Sequence, residues 1–457
     1  MSFRLIISTV LLLASTALFA ADPPAQPSPP ETSVPVKVVA APELAKPEAA
    51  KTSTVSLADI RRFTAVYSLV KQAYVEDLSD DKLMQAAIRG MLSNLDPHSE
   101  YLDRAQIEAL SEDTSGSYAG LGIEVTGKDG VLRVISPIDD TPAARAGVRA
   151  GDIILRIDGK PIVSADVNGA IDQLRGKPGS DVSLSIMREG LTKPIEVSMK
   201  REIIRVASVS GRLVEPGYAY LRIAQFQAET GTELRDRIAA LLKENGGPLK
   251  GAVLDLRSNP GGLVSAAVDV SDQFLDGGTI VSTRGRVDAA DLSFNATPGD
   301  SLHGTNLVVL IDNGSASASE IVAGALKDNH RALLMGRRSF GKGSVQTVLP
   351  IDGDFAVKLT TARYYTPNGT SIQAQGIAPD VELTDPALAE SGATSGYSIS
   401  ERDLPNHLKN GDEAALPASG LLPIGAGKDY ALNEAINVLK GLAAQRKRIP
   451  AAAAAKG

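Results

Sequence analysis

The sequence predicts an α/β multidomain protein, and three observations predict it. From about residue 203 to 385, short apolar strand-like runs alternate with helical ones, the pattern of a layered α/β domain. Residues 116–202 read as a separate β-rich unit, with short strands between turns marked by Gly and Pro. Residues 56–115 instead space their apolar side chains three and four apart, as helices do. The chain has 457 residues, 43% hydrophobic and 22% charged. That is enough for two or three domains with ordinary cores.

Taken in order, residues 1–20 read as a secretory signal peptide. Arg4 supplies the positive start, a short apolar run follows to Ala14, and small residues cluster around Ala17 to Ala21. A cut after Ala17, with Ser15 before it, fits the small-x-small rule better than one after Ala20. An N-terminal membrane anchor is the lesser alternative. Residues 21–55 are rich in Pro, Ala, Val and Lys and read as a tether. Ile60, Phe63, Val66, Leu69 and Val70 then predict one helix. A second spans 81–94 and is stopped by Asp96-Pro97. This region is expected to cap the core or to serve association.

Within 116–202 the expected strands are 131–135, 153–157 and 182–187, with a helix at 165–174. Turns fall at Asp129-Gly130, Asp158-Gly159 and Lys177-Pro-Gly179. In the 203–385 core, strands are expected at 218–223, 252–256, 307–311, 332–335 and 356–360. Helices are expected at 230–244, 264–274 and 319–327. Residues 386–457 form a polar loop and then a helix at 429–442. The closing Arg446-Lys-Arg448 is read as a solvated end.

Composition excludes several chemistries. With no cysteine there is no disulfide, thiolate nucleophile or Cys-held zinc. The four histidines, His98, His303, His330 and His407, have no metal-ligand spacing. No metal or other cofactor is expected. At a net charge of −7, no basic surface suggests nucleic acid.

Three stretches carry chemistry. Asn313-Gly-Ser-Ala-Ser-Ala-Ser-Glu320 lies between an expected strand and helix. A hydroxyl there meets free backbone amides and the positive end of the helix, which suits a reaction that creates an oxyanion. On the residues alone, Ser315, Ser317 and Ser319 are all eligible. Ser317-x-x-Glu320 also reads as a helix capping box. The second stretch is Gly341-Lys342-Gly343. Burial can bring a lysine down towards neutral pH and make it a base; a shift of ~3 units corresponds to roughly 4 kcal/mol. An extended segment would place Lys342, Ser344 and Gln346 on one face, with Gln346 bonded to the lysine amine. A solvated lysine in a glycine turn is the plainer alternative. The third, Leu256-Arg-Ser-Asn-Pro-Gly-Gly262, follows a strand and can present main-chain amides to an anion.

These pieces, in this order, resemble the carboxyl-terminal processing (tail-specific) proteases over roughly residues 57–442. The matching strings include Leu95-Asp-Pro-His-Ser-Glu-Tyr-Leu102, Gly120-Leu-Gly-Ile123 and Ser339-Phe-Gly-Lys-Gly-Ser-Val-Gln-Thr347. Thr360-Thr-Ala-Arg-Tyr-Tyr-Thr-Pro367 and Asp403-Leu-Pro-Asn-His-Leu408 add to them. The resemblance implies a crotonase-like layered core, an inserted PDZ domain at 116–202 and an N-terminal helical region. It implies Ser317 as nucleophile, Lys342 as general base and Gln346 as its orienting partner. Gly261, Gly262 and Ala318 would form the oxyanion hole. Gly120, Leu121, Gly122 and Ile123 would receive a substrate's C-terminal carboxylate, with the peptide added as a strand. Arg175 is a candidate switch, and equally a solvated arginine beside a turn. His98, far from the serine and lysine in sequence, is read as structural.

The expected function is thus a periplasmic serine endopeptidase acting on envelope proteins with accessible C-termini. A lipoprotein adaptor and a homo-oligomer, dimer or larger, are the partners the resemblance implies. A non-catalytic PDZ scaffold is the contrary reading. A penicillin-binding type of Ser-Lys enzyme is excluded, because it needs Ser-x-x-Lys and the third residue after Ser317 is Glu320.

Overall fold

The computed structural model describes residues 55–128, 131–162, 167–384, 399–411, 421, 422, 424 and 429–448. The expected signal peptide, the tether up to residue 54, the Asp129-Gly130 turn and most of the polar loop lie outside the described residues.

The N-terminal region opens with α1 (Leu57–Ala73) and α2 (Asp80–Ser93), each begun by a serine whose hydroxyl accepts a first-turn N–H. The apolar stripe of α1 is present, but no residue of the helix is buried. Ile60, Phe63, Val66 and Leu69 are 48%, 50%, 57% and 64% exposed. The chain continues through β1 (Glu100–Asp103) into α3 (Arg104–Ser115), which the reciprocal Asp103/Gln106 capping box starts and the left-handed Gly116 ends.

A two-stranded ribbon encloses the next unit. β2 (Ser117–Gly120) enters it, and the strand β9 (Glu202–Arg205) that leaves it pairs antiparallel with β2, Ser117 opposite Arg205. Entry and exit therefore lie side by side, as an inserted domain requires. Between them run β3 (Ile123–Lys128), β4 (Val131–Pro137), α4 (Pro142–Arg145), β5 (Ile153–Ile157), β6 (Lys160–Pro161), α5 (Val167–Leu174), β7 (Asp181–Met187) and β8 (Ile195–Lys200). The antiparallel sheet has the order β3-β4-β5-β7-β8. Its inward set, including Leu132, Val134, Ile154, Val182, Leu184 and Ile186, closes one core, with the alternation expected of a half-buried sheet.

The remaining chain builds layers. Its elements are β10 (Val209–Glu215), β11 (Tyr218–Ile223), α6 (Thr230–Glu244), β12 (Gly251–Asp255), α7 (Val264–Asp272), β13 (Thr279–Gly285), β14 (Leu292–Asn295), β15 (Leu307–Ile311), α8 (Ala318–Asp328), β16 (Ala332–Gly336), β17 (Ser344–Pro350), β18 (Phe355–Tyr365), β19 (Val381–Glu382) and α9 (Tyr430–Arg448). The central sheet runs β10-β11-β12-β15-β16-β19, parallel from β11 onward. Both its faces are covered, so its strands are near-continuous apolar runs. Alternate residues go to opposite layers. Ala252, Leu254, Leu307, Val309 and Ile311 pack with α6, α7 and α8. Val253, Val308 and Leu310 pack with Leu432, Ala435, Ile436 and Leu439 of α9. A second sheet, β1-β18-β13-β14 with β17 on β18, lies beyond the helices. Ile280, Val281 and Tyr364 from it join the same core as α8. Caught between two sheets, α8 is buried from Ala318 to Leu326, and its sequence is accordingly apolar almost all round.

Most expected elements of the core lie within two residues of their observed limits. β10, β13, β14 and β17 escaped because Ser, Thr, Arg and Gly dilute their apolar pattern. The end of the tail helix was placed short, at 442 rather than Arg448.

Leu439 seals the α9 layer: it is fully buried, and a Cβ added at Gly251 would lie 3.1 Å from it. Leu439→Ala should cost about 3 kcal/mol through lost transfer energy and a cavity. Val66→Ala, on the outward stripe of α1, should stay within roughly 0.5 kcal/mol. Urea unfolding of the two variants beside wild type checks the contrast.

Candidate active site

The three serines of the 313–320 turn have different fates. Ser315 Oγ donates to the Leu256 carbonyl at 2.8 Å and accepts the Asp312 N–H at 3.0 Å. Ser319 Oγ donates to the Asn259 carbonyl at 2.9 Å. Both are fully buried and stitch the turn to the 256–262 loop. Ser317, 8% exposed, stands between them with φ 53° and ψ −111°. That backbone is strained for a residue with a Cβ, and such strain persists only where the surroundings over-determine it. It lifts one hydroxyl out at the junction of β15 and α8, as a nucleophile elbow does.

The surroundings can be named. The buried Asp312 carboxylate accepts N–H groups from Ser258 at 2.8 Å, Gly314 at 2.9 Å and Leu422 at 3.0 Å. Burial pushes its pKa up, against those three donors. Arg257, fully buried, is clasped by Asp255 on one side (2.6 Å) and Asp429 on the other (2.8 Å), which moors the loop to the start of α9. Gly261, at φ 102°, comes so close to the serine turn that an added Cβ would meet the Ala316 carbonyl oxygen at 2.7 Å and Ser317 Cβ at 2.9 Å.

One expectation about this loop needs correction. The Gly261 N–H is engaged by Asn259 Oδ1 at 2.9 Å, so it is not free for an oxyanion. The Gly262 and Ala318 amides have no hydrogen-bond partner among the described residues. Gly262 sits in the parallel bridge to Phe226, and Ala318 is the first residue of α8.

Glu320 is what joins the serine turn to the lysine segment. Its fully buried carboxylate accepts four hydrogen bonds. They come from Ser317 N–H (2.8 Å), Ser339 Oγ (2.6 Å), Gly341 N–H (2.7 Å) and Lys342 N–H (2.9 Å). The capping role foreseen for it is real, since it takes the Ser317 N–H. Its own N–H goes to the Ser317 carbonyl at 2.8 Å. The links to residues 339–342 could not be read from local spacing. Burial pushes this carboxyl up to about 7, with the four donors pulling the other way.

Lys342 is half-buried. Burial first, then the nearby Lys358 charge, push its pKa down; Glu401, Glu320 and Asp96 act in the opposite sense. No hydrogen bond joins its Nζ to Ser317 or Gln346 among the described residues. The expected Gln346 contact is therefore replaced: Nε2 of Gln346 donates to Ser344 Oγ at 3.0 Å and Thr360 Oγ1 at 3.3 Å. The register shift between Val345 and Gln346 leaves Thr361 of β18 as the extra residue, so Ser344 and Gln346 of β17 still share a face, while Lys342 lies before the strand. His98 is distant only in sequence. Its Nε2 lies 2.8 Å from Glu401 Oε2, beside the lysine segment.

In the inserted domain, Gly120, Leu121, Gly122 and Ile123 line one pocket together with Tyr118, Ile171, Leu174 and Arg175. Arg175 is held rather than free in solvent: it pairs with Glu112 of α3 and sits 5.5 Å over the Tyr118 ring. Among the described residues no group of three or more histidine or carboxylate side chains is gathered as metal donors.

Glu320 makes stability depend on pH. Its folded pKa is raised, so its contribution is full below the ordinary value of 4.5 and is lost as pH rises through about 7. Glu320→Gln cannot titrate. Thermal unfolding should show wild type losing up to ~3 kcal/mol against the variant between those two limits. A parallel pH response of the two proteins would contradict it.

Three family models match the chain in order: the Activating protease CtpB N-terminal domain at residues 34–106, the PDZ domain at 119–199, and Peptidase family S41 at 217–383. The carboxy-terminal-processing protease of Bartonella bacilliformis is 46% identical over 84% of this chain and 88% of its own. The carboxy-terminal processing protease CtpA of Bacillus subtilis is 35% identical over 74% of this chain and 72% of its own. Among solved structures, the photosystem II D1 C-terminal processing protease is 31% identical over 72% of this chain and 94% of that chain, with a TM-score of 0.42. The layered core, the inserted PDZ domain and this extent of identity agree: the chain belongs to peptidase family S41, as a carboxy-terminal processing serine-type peptidase.

Proposed function

We propose that this peptidase is an endopeptidase that cleaves peptide bonds with Ser317 as nucleophile and Lys342 as general base. The observation that carries the reading is the Glu320 carboxylate. It bonds the backbones of both residues, beside the one serine of the turn whose hydroxyl is not tied into the loop. The pKa of Lys342 is lowered by burial, the direction a general base requires, and this supports its role. Ser317 Oγ attacks the scissile carbonyl while Lys342 Nζ takes its proton. The tetrahedral oxyanion is received by the Gly262 and Ala318 amides. Lys342 then protonates the leaving amine. Lys342 Nζ, neutral again, takes a proton from water, whose oxygen attacks the acyl carbonyl; as the acyl–Oγ bond breaks and the carboxylic product leaves, Lys342 returns the proton to Ser317 Oγ. Gln346 is proposed as the orienting partner: in the resting chain its Nε2 is bonded to Ser344 and Thr360, and its Oε1 would accept from the lysine ammonium once the lysine turns toward it. Glu320 supports both members from behind without touching substrate.

The PDZ pocket at Gly120 to Ile123 is proposed to seat a substrate's C-terminus, as a β-strand added along a sheet edge. Arg175 lines that pocket and pairs with α3, outside the PDZ sheet, which supports a switch that answers to substrate. The leader's charge and apolar run support export to the periplasm, and hence envelope proteins as substrates. No helix among the described residues is long and apolar enough to cross a membrane. The outward apolar stripe of α1 supports a homo-oligomer. A helical-repeat lipoprotein adaptor stands as a further proposed partner.

The test is degradation of an unfolded protein and a C-terminally tailed peptide, with envelope extract as an adaptor source. Ser317→Ala and Lys342→Ala should each lower turnover at least ~1,000-fold. Wild-type kcat/KM should rise with pH through the depressed Lys342 pKa, below the ordinary 10.5. Failure of wild type to cleave, with tailed peptides still bound, would favour the PDZ scaffold.

A further inference from the structure

Two strings noted in the sequence have no part in the chemistry above: Leu95 to Leu102, and the tail around Asp403 to Leu408. They lie some 300 residues apart, yet they meet beside the lysine segment. Glu401, fully buried, accepts from His98 Nε2 at 2.8 Å and 3.0 Å. The same carboxylate accepts Gln373 Nε2 at 3.0 Å. Gln373 turns its other end to the Gly343 N–H, which donates to Oε1 at 3.0 Å. Gly343 follows Lys342 directly. A Cβ there would run into the Gln373 backbone, so the two segments are as close as chains come. The Glu401 N–H also donates to the Phe340 carbonyl at 3.2 Å. Behind the histidine, Asp96 Oδ1 accepts the His98 N–H at 2.9 Å and the Thr360 hydroxyl at 3.0 Å.

The lysine segment is therefore held twice. On the α8 side, Glu320 takes the Lys342 N–H. On the far side, a chain of hydrogen bonds runs from His98 through Glu401 and Gln373 to Gly343. The second hold contains a fully buried carboxylate that would be costly without partners. Its protein partners are an imidazole and an amide. A structural tie alone could be made by apolar packing, often with equal or greater stability. What the polar chain adds is direction: it fixes one peptide plane next to Lys342, and it brings a negative charge near that amine.

Resting on the reading of Lys342 as general base, we propose that His98 and Glu401 are positioning residues for it. The imidazole holds the carboxylate, the carboxylate holds Gln373, and Gln373 fixes the peptide after Lys342. The charges facing the lysine come from four elements: Glu320 on α8, Lys358 on β18, Asp96 before β1 and Glu401 in the tail.

The test uses the full chain and a tailed peptide, with kcat, KM and the pH profile of kcat/KM. His98→Ala should lower kcat about 10-fold with KM within about 2-fold, the signature of a lost transition-state contribution. His98→Gln, whose amide can still donate to Glu401, should recover to within about 3-fold of wild type. Glu401→Gln removes one charge that favours the ammonium, so the acid limb should move to lower pH by at least about 0.5 unit. Lys342→Ala is run alongside. Should it keep wild-type activity, the base assignment itself falls. Should it be inactive while the His98 and Glu401 variants keep wild-type kcat and an unmoved acid limb, positioning alone is overturned, whatever happens to their melting temperatures.

Discussion

The site depends on one buried carboxylate having four donors. Glu320 sits at the third position of α8, where a carboxylate ordinarily closes a helix start. Here it does that and also accepts from residues 339, 341 and 342. Removing a carboxylate of this size from water is expensive. The cost is offset only while all four donors stay in place, so the contacts are cooperative. A shift of the lysine segment away from the serine turn would strand a buried acid. Close approach of the two strings is thus the low-energy arrangement of the resting chain, before any substrate arrives.

The frame beneath is stiff for a related reason. Alternate residues of β12 and β15 enter two different cores, so a one-residue slip would exchange their layers. Loops at the carboxyl ends of such strands inherit that precision, the general location of sites in parallel sheets. Arg257 then ties the loop after β12 to Asp429 at the foot of α9. Truncating one member of so buried an ion pair leaves an unpaired charge, typically a loss of about 3–5 kcal/mol. The tail is therefore part of the site's foundation, though it lies far from Ser317 in sequence.

Where the sequence was legible, a short-range rule applied. Strand-length apolar runs located β11 and β15, helical spacing located α6 and α8, and the serine turn stood out between them. The choice among Ser315, Ser317 and Ser319 was not legible from spacing. It rests on which carbonyl each hydroxyl can reach, and Leu256 and Asn259 arrive on the loop after β12. Gly261 was misassigned because Asn259, two residues earlier, folds back onto its amide; the side-chain turn was there to suspect, since Asn favours such bonds. The Gln346 amide goes instead to Ser344 and to Thr360 of β18, and a partner on another strand is something spacing cannot foresee. His98 is read as structural from sequence distance, and the tail's return across the core is what brings it to Glu401.

That return gives the architecture its logic. The PDZ domain enters and leaves through the β2–β9 ribbon, so it can be carried on the scaffold without interrupting the sheet order of the core. Arg175 in its pocket reaches Glu112 on α3, and α3 follows directly from β1, the strand that pairs with β18. β18 also carries Thr360, bonded to Asp96 and Gln346, and Lys358, whose charge bears on Lys342. A continuous set of packed elements therefore runs from the PDZ pocket to the strand beside the lysine. Coupling through such a set needs an element with two arrangements whose balance both sites bias. Of the elements along it, α3 is the best placed to serve: it buries no residue, and at its ends are a polar capping box and a left-handed glycine. A helix whose residues are at most half-buried can shift at a smaller packing cost than α8, which is buried from Ala318 to Leu326.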